Sequence, residues 1–293
     1  MTIINPGAWA DPTQTEARPW SSTAGIVKFL EFPVRLAGLS RRAFHLHWLK
    51  HHSPHVMNIT VFAQFMRKYN TSHVVPEPLA GLPAHYRQDT PFEGCAEVWL
   101  NSLDQVGDWL GQPVYEALIA PDELRFIDHE GGVEVVVVKE ETLFEPDPDL
   151  IESRMAKAYL LTRRRPGLDY GAFHAAASAH GQRILEHPTL RAELRKLVVS
   201  HKLAGPVPLE GFEPADIDAV FEFWFEDMKA LLQFFADPLY AQDIISSEAE
   251  LFDAATLRMV VTTVHVVHDE FSFQPSTTQP LRFGPGDEPF YPA

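Results

Sequence analysis

Apolar residues along the chain fall into short runs bounded by polar turns, and the spacing switches between that of strands and that of helices. Ile26 to Phe32 is an apolar run of strand length, and Ala158 to Leu161 is another. A Gly-Leu turn follows each, Gly38-Leu39 and Gly167-Leu168. Next come Ser40 and Asp169, residues whose side-chain oxygens can take the orphan N–H groups of a helix start. The pattern predicts first helices over about 41–53 and 170–185 and second strands over about 69–75 and 197–203. Third strands are predicted over about 94–100 and 219–225, second helices over about 102–111 and 227–236, and last strands at Val133 to Val138 and Met259 to Val267. The order is β-α-β-β-α-β, twice.

The two halves are diverged copies of one unit. Lys28 aligns with Lys157, Phe44 with Phe173 and His51 with His180, all 129 residues apart. Ser72-His73 aligns with Ser200-His201, Glu97-Val98-Trp99 with Glu222-Phe223-Trp224, Tyr115 with Tyr240, and Glu123 with Glu248. The order is kept and the offset drifts only at loops, the mark of an internal repeat. One such unit carries helices on one sheet face and leaves the other apolar face to be buried. Two units stacked through those faces would close a barrel-like core, which predicts an α+β fold of two ferredoxin-like units fused as a pseudo-dimer. The expected divisions are a polar extension over 1–24, a first unit over 25–148, a second over 149–271 and a Pro-rich tail over 272–293. Because the pairing is intramolecular, a monomer should be self-sufficient, with any further self-association through helix faces or the tail.

Composition narrows the function classes. The net charge is −16, with Arg163, Arg164 and Arg165 the nearest thing to a basic patch, so nucleic acid is not an expected partner. No apolar run reaches the length of a membrane span, and Met1 to Gly25 lacks the charged and apolar regions of a signal peptide. Cys95 is the single cysteine, which excludes an intrachain disulfide and fits a cytoplasmic protein. No Gly-x-Gly-x-x-Gly after a strand, P-loop or Gly-x-Ser-x-Gly elbow is present.

Four ordered motifs carry a family resemblance. Phe44 through Pro54, with Trp48, His52 and Pro54 at set spacing, resembles the first-helix motif of the EthD family; Tyr69 with His73 resembles its Tyr-x-x-x-His. Cys95-Ala96-Glu97-Val98-Trp99 is similar to its strand-three segment, and Asp122-Glu123 with Phe126-Ile127-Asp128 to the segment near its last strand. The second half departs from these motifs: Trp48 becomes Ala177, His52 becomes Gly181 and Tyr69 becomes Leu197. The resemblance implies a dimeric α+β barrel and a pocket between sheet and helices. The wider group includes cofactor-independent lyases, isomerases, cyclases and monooxygenases, and some haem binders.

The candidate chemistry lies in the first half. His45, His47, His51, His52 and His55 crowd one helix, where partial burial can tune an imidazole for proton transfer. His51 reads first as packing, because His180 keeps it in the diverged half; His52 belongs to the motif-complete half alone, which favours a functional role. Tyr69 and His73, four apart on a strand, face one side and could serve as electrophile and base. Glu97, Trp99 and Cys95 share a face; Glu97 reads either as orienter of the base or as half of a structural ion pair, since Glu222 repeats it. The expected catalytic set is thus His52, His73, Tyr69 and Glu97, with Trp48, Phe65, Trp99, His51 and Cys95 around the substrate. The i,i+4 histidine pairs lack a third ligand, so neither metal nor haem is expected. These residues point to a cofactor-independent lyase, isomerase or cyclase for a small apolar or aromatic oxygenated substrate. The alternatives are a cofactor-free monooxygenase in the same pocket and a non-catalytic accessory protein.

Overall fold

In the computed structural model, which describes residues 25–271 apart from 76–78, 148, 205–206, 208, 210–211 and 213, every apolar run of strand length becomes a strand. The polar extension and the Pro-rich tail expected at the two ends lie outside the described residues. The strands are β1 (Val27–Phe32), β2 (Lys68–Val74), β3 (Gly94–Leu100), β4 (Glu134–Phe144), β5 (Ala156–Thr162), β6 (Leu194–Lys202), β7 (Ala219–Phe225) and β8 (Arg258–Asp269). They close an antiparallel barrel in the order β1-β3-β2-β8-β5-β7-β6-β4. Within it, β4-β1-β3-β2 and β8-β5-β7-β6 repeat one order, as the sequence repeat requires.

The last strand of each half is longer than its apolar run. Lys139, Glu140 and Glu141 continue β4 opposite His201, Ser200 and Val199 of β6. His268 and Asp269 continue β8 opposite Tyr69 and Lys68 of β2. These polar extensions hydrogen-bond one half to the other, so the barrel closes edge to edge and leaves no exposed sheet edge. The predicted caps form: Ser40 Oγ accepts from Ala43 N at 3.1 Å, and Asp169 Oδ1 from Ala172 N at 3.0 Å.

Strand alternation divides the residues between two environments. On the inner face, Leu30, Phe32, Val136, Tyr159, Leu161 and Val220 belong to an apolar cluster. Beside it lies a buried ion cluster built from repeat-related residues. Lys28 Nζ sits 2.7 Å from both Glu97 and Glu222 and 3.0 Å from Glu140, and Lys157 Nζ sits 2.6 Å from Glu97 and 2.7 Å from Glu222. Burial alone would lower the Lys28 ammonium, but Glu140, Glu222 and Glu97 outweigh it and hold it well above its usual value. Trp99 and Trp224 lie over these ammonium groups, with Lys28 4.5 Å from the Trp99 ring and Lys157 4.0 Å from that of Trp224. The outer faces pack against helices in two separate cores, one per half.

The short basic run is paired with acids, Arg163 with Asp216 at 2.6 Å and Arg164 with Asp218 at 2.8 Å. No helix among the described residues is long and apolar enough to cross a membrane.

Candidate functional site

The first helix of the first half is not regular. Arg41–His47 is α-helical, Trp48–His52 forms a wide π turn, and Ser53–Asn58 resumes the α form. Ser53 N bonds to Trp48 O across this turn, and Ser53 Oγ also donates to Trp48 O at 2.8 Å. Residues bonded i to i+5 advance fewer degrees each, so His52 stays on the side of Trp48 while His51 falls away toward solvent. Trp48 and His52 are buried and His51 is half-buried.

Asp122 fixes the orientation of His52. Its Oδ2 lies 3.0 Å from His52 Nδ1 and 3.1 Å from His47 Nε2. Burial works against the charge on Asp122, but bonds from His47 and His52 overcome it and hold the carboxyl well below its usual range. An ionised carboxylate only accepts, so His52 Nδ1 and His47 Nε2 carry the protons. In the neutral ring this leaves His52 Nε2 as the basic nitrogen.

His52 lines a narrow cavity of about 40 Å³ between the outer face of the sheet and the helices. Phe29, Val56, Phe62, Met66 and Trp109 make it apolar. Three further groups bring protons. Tyr69 lines the floor, and burial pushes its phenol to about 12, with Ser53 and Trp48 partly offsetting. Glu31 also lines it; burial, then the charge of Glu123, pushes its carboxyl up to about 8, and its Oε1 is buried with no hydrogen-bond partner among the described residues. Tyr115 donates to Glu123 Oε2 at 2.8 Å. Tyr115, Glu123, Leu110 and Phe212 line both this cavity and an outer vestibule of about 630 Å³.

Of the expected site residues, His52, Tyr69 and Trp48 meet at the cavity. The others do not. His73 shares a sheet face with Tyr69, but four residues of strand separate them by about 13 Å. It stacks instead against Trp48, His45 and His265, with ring centroids at 5.0, 4.5 and 4.6 Å. Burial, then His45 and His265, drive its imidazole well below the ordinary value. Glu97, Trp99 and Cys95 point to the barrel interior, since β3 directs Ala96 and Val98 at the helices. Glu97 therefore pairs with Lys28 and Lys157 and not with a histidine; the carboxylate bonded to His52 is that of Asp122. His51 stacks on His47, and Phe65 packs beside the outer core without lining the cavity. Glu31, Tyr115, Asp122 and Glu123 were not among the expected site residues. Asp122 and Glu123 were visible within the family motif, and Glu31 as a carboxylate inside an apolar strand.

The corresponding space in the second half is filled. A Cβ on Gly181, the counterpart of His52, would lie 2.3 Å from Leu143 Cδ1, so any side chain there would have to displace Leu143. Leu160 stands at the position of Glu31. Tyr86, from the connection between β2 and β3, inserts its ring among the second-half core residues. Its hydroxyl donates to Glu248 and lies 2.9 Å from the hydroxyl of Tyr240. His201 is buried, 2.9 Å from Glu141 Oε2 and in contact with His174.

Among the described residues no group of three or more His, Cys, Asp or Glu could hold a metal ion. A cavity of about 40 Å³ does not admit a porphyrin, and Tyr86 occupies its counterpart.

The family model named EthD domain matches residues 36–130 and 165–255. No curated protein matches the chain. Among solved structures, an anthrone oxidase-like protein is similar with TM-score 0.50 and 8% identity, over 86% of this chain and 97% of that one. A candidate monooxygenase from Fusobacterium nucleatum gives 0.47 and 7%, over 84% and 94%. A chlorite dismutase from Candidatus Nitrospira defluvii gives 0.43 and 13%, over 83% and 92%. At these identities the likeness concerns fold alone.

Proposed function

The chain belongs to the EthD domain family, and from that premise we propose that it is a cofactor-independent acid–base enzyme of the lyase, isomerase or cyclase kind. We read its halves as ferredoxin-like units fused into a pseudo-dimer that works as a monomer, with one working pocket in the first half. The substrate is a small apolar or aromatic molecule carrying oxygen.

One observation carries this reading: a buried apolar cavity at which an Asp-oriented imidazole meets two groups that keep their protons at neutral pH. His52, with Nδ1–H held by Asp122, has Nε2 available to take a proton from carbon next to a carbonyl. Tyr69 donates a hydrogen bond to the oxygen that gains charge, which strengthens as the enolate develops. Glu31 holds a proton in an apolar setting, the condition under which a carboxyl acts as an acid near pH 7. The proton that leaves carbon resides on His52 and returns to carbon at another position, or to a leaving hydroxyl.

Anaerobic incubation in D2O with a panel of aryl alkyl ketones, read by proton NMR, tests this. The expected result is deuterium entry next to the carbonyl, slowed about 10²-fold or more in Asp122→Asn, the usual scale for disabling an acid–base group. Oxygen consumption with no anaerobic exchange would replace this reading with the cofactor-free monooxygenase.

A further inference from the structure

The repeat supplies an internal comparison for the cavity. Tyr115 and Glu123 of the first half correspond to Tyr240 and Glu248 of the second. In the second half the two do not bond to each other directly: the Tyr86 hydroxyl stands between them, 2.9 Å from the Tyr240 hydroxyl and donating to Glu248. That phenol is fully buried, with Phe235 beside its ring at 6.4 Å. Tyr86 directly precedes Arg87, which bridges to Arg258 at the start of β8. In the other half, Phe212 shortly precedes Pro214, which bridges to Val135 at the start of β4. Phe212 accordingly lines the first-half cavity at the corresponding place, with a ring and no hydroxyl. Tyr115 closes directly on Glu123 at 2.8 Å, and beside that pair the vestibule stays open.

We propose that the first-half pocket binds a hydroxylated aromatic ring, a phenol, whose hydroxyl enters between Tyr115 and Glu123 as that of Tyr86 enters between Tyr240 and Glu248. The ligand hydroxyl accepts from Tyr115 and donates to the Glu123 carboxylate, so both its proton and a lone pair are used. The ring lies in the vestibule against Phe212 and Leu110, because the inner cavity of about 40 Å³ is smaller than a benzene ring requires. A hydroxyaryl group anchored there directs its substituents inward, toward Glu31, Tyr69 and His52. This assignment names the substrate class of the acid–base pocket and rests on that reading for the pocket's use.

The probes are 4-ethylphenol and 4-ethyltoluene, which differ by hydroxyl against methyl, with binding to the full-length protein followed by calorimetry. The wild type should prefer the phenol by at least about tenfold, the scale of one charge-assisted hydrogen bond. Tyr115→Phe and Glu123→Gln should each shrink that preference to about twofold. Phe212→Tyr, a change at a half-buried ring, supplies internally the hydroxyl that the ligand would bring, and should abolish binding of the phenol. Equal affinity for the two probes in the wild type would overturn the proposal, as would a preference unchanged in Phe212→Tyr. Binding is read without turnover, so the two claims fail separately. A phenol preference with no deuterium exchange in any ketone removes the acid–base reading and keeps the docking site. Exchange without the preference does the reverse.

Discussion

Replacing Glu31 by leucine should make the protein more stable, by an amount that grows with pH. The leucine has a precedent in the fold, since Leu160 occupies the repeat-related position and is fully buried there. In the folded chain Glu31 holds its proton to about pH 8, against 4.5 for an ordinary glutamate. The unfolded chain therefore releases that proton first as pH rises. Between pH 4.5 and 8 it binds fewer protons than the folded chain, so wild-type stability falls with pH. The slope is at most about 1.4 kcal/mol per pH unit, or about 5 kcal/mol across the window. Glu31 keeps some contact with solvent, which makes that figure an upper bound. Urea unfolding of wild type and Glu31→Leu at pH 5, 6, 7 and 8, followed by tryptophan fluorescence, gives the stability difference directly. It should be small at pH 5 and widen steadily to pH 8. In a Glu123→Gln background the widening should level off at lower pH and be smaller in total, because the Glu123 charge is part of what keeps Glu31 protonated. A difference independent of pH, or one that narrows as pH rises, would refute a neutral Glu31 in the cavity.

Three further outcomes follow from the packing. Lys28→Met leaves Glu97 and Glu222 with one fewer buried cation, and chemical denaturation should show a loss of about 3–5 kcal/mol, the range for breaking a buried ion pair. His73→Ala should lower the melting temperature while leaving turnover within a few-fold of wild type, since His73 stacks behind Trp48 and does not line the cavity. Turnover should survive prolonged treatment with a strong chelator, followed by elemental analysis of the treated protein; activity lost on chelation and restored by zinc would move the chemistry to a metal.

The repeat made most of the architecture legible. Matched pairs such as Lys28 with Lys157 and Glu97 with Glu222 marked two copies of one unit, and these pairs form the centre of the barrel. The sequence did not reveal which sheet face turns inward. Both faces of β3 carry apolar residues, so Cys95, Glu97 and Trp99 could be grouped but not placed. Polar continuations such as Lys139-Glu140-Glu141 look like the end of a strand in a hydropathy pattern, yet they form the seam between halves. The site was partly readable. His52, Trp48 and Tyr69 were found through the family motif, whereas His51, expected beside the substrate, is carried outward by the π turn at Trp48–His52. Glu31 was concealed because Ile26 to Phe32 read as one apolar run, though alternation separates Phe29 and Glu31 from Lys28 and Leu30. The part played by Tyr86 depends on a loop reaching into the other half, which no local pattern encodes.

The most direct measurement is a side-by-side comparison of His52→Ala and His201→Ala in anaerobic deuterium exchange, with folding of both verified by circular dichroism. The two histidines lie in opposite halves, His52 at the open cavity and His201 buried against Glu141 and His174. Exchange should fall about 10²-fold or more in His52→Ala, and stay within a few-fold of wild type in His201→Ala. A larger loss in His201→Ala, or full exchange in His52→Ala, would contradict a single acid–base pocket in the first half.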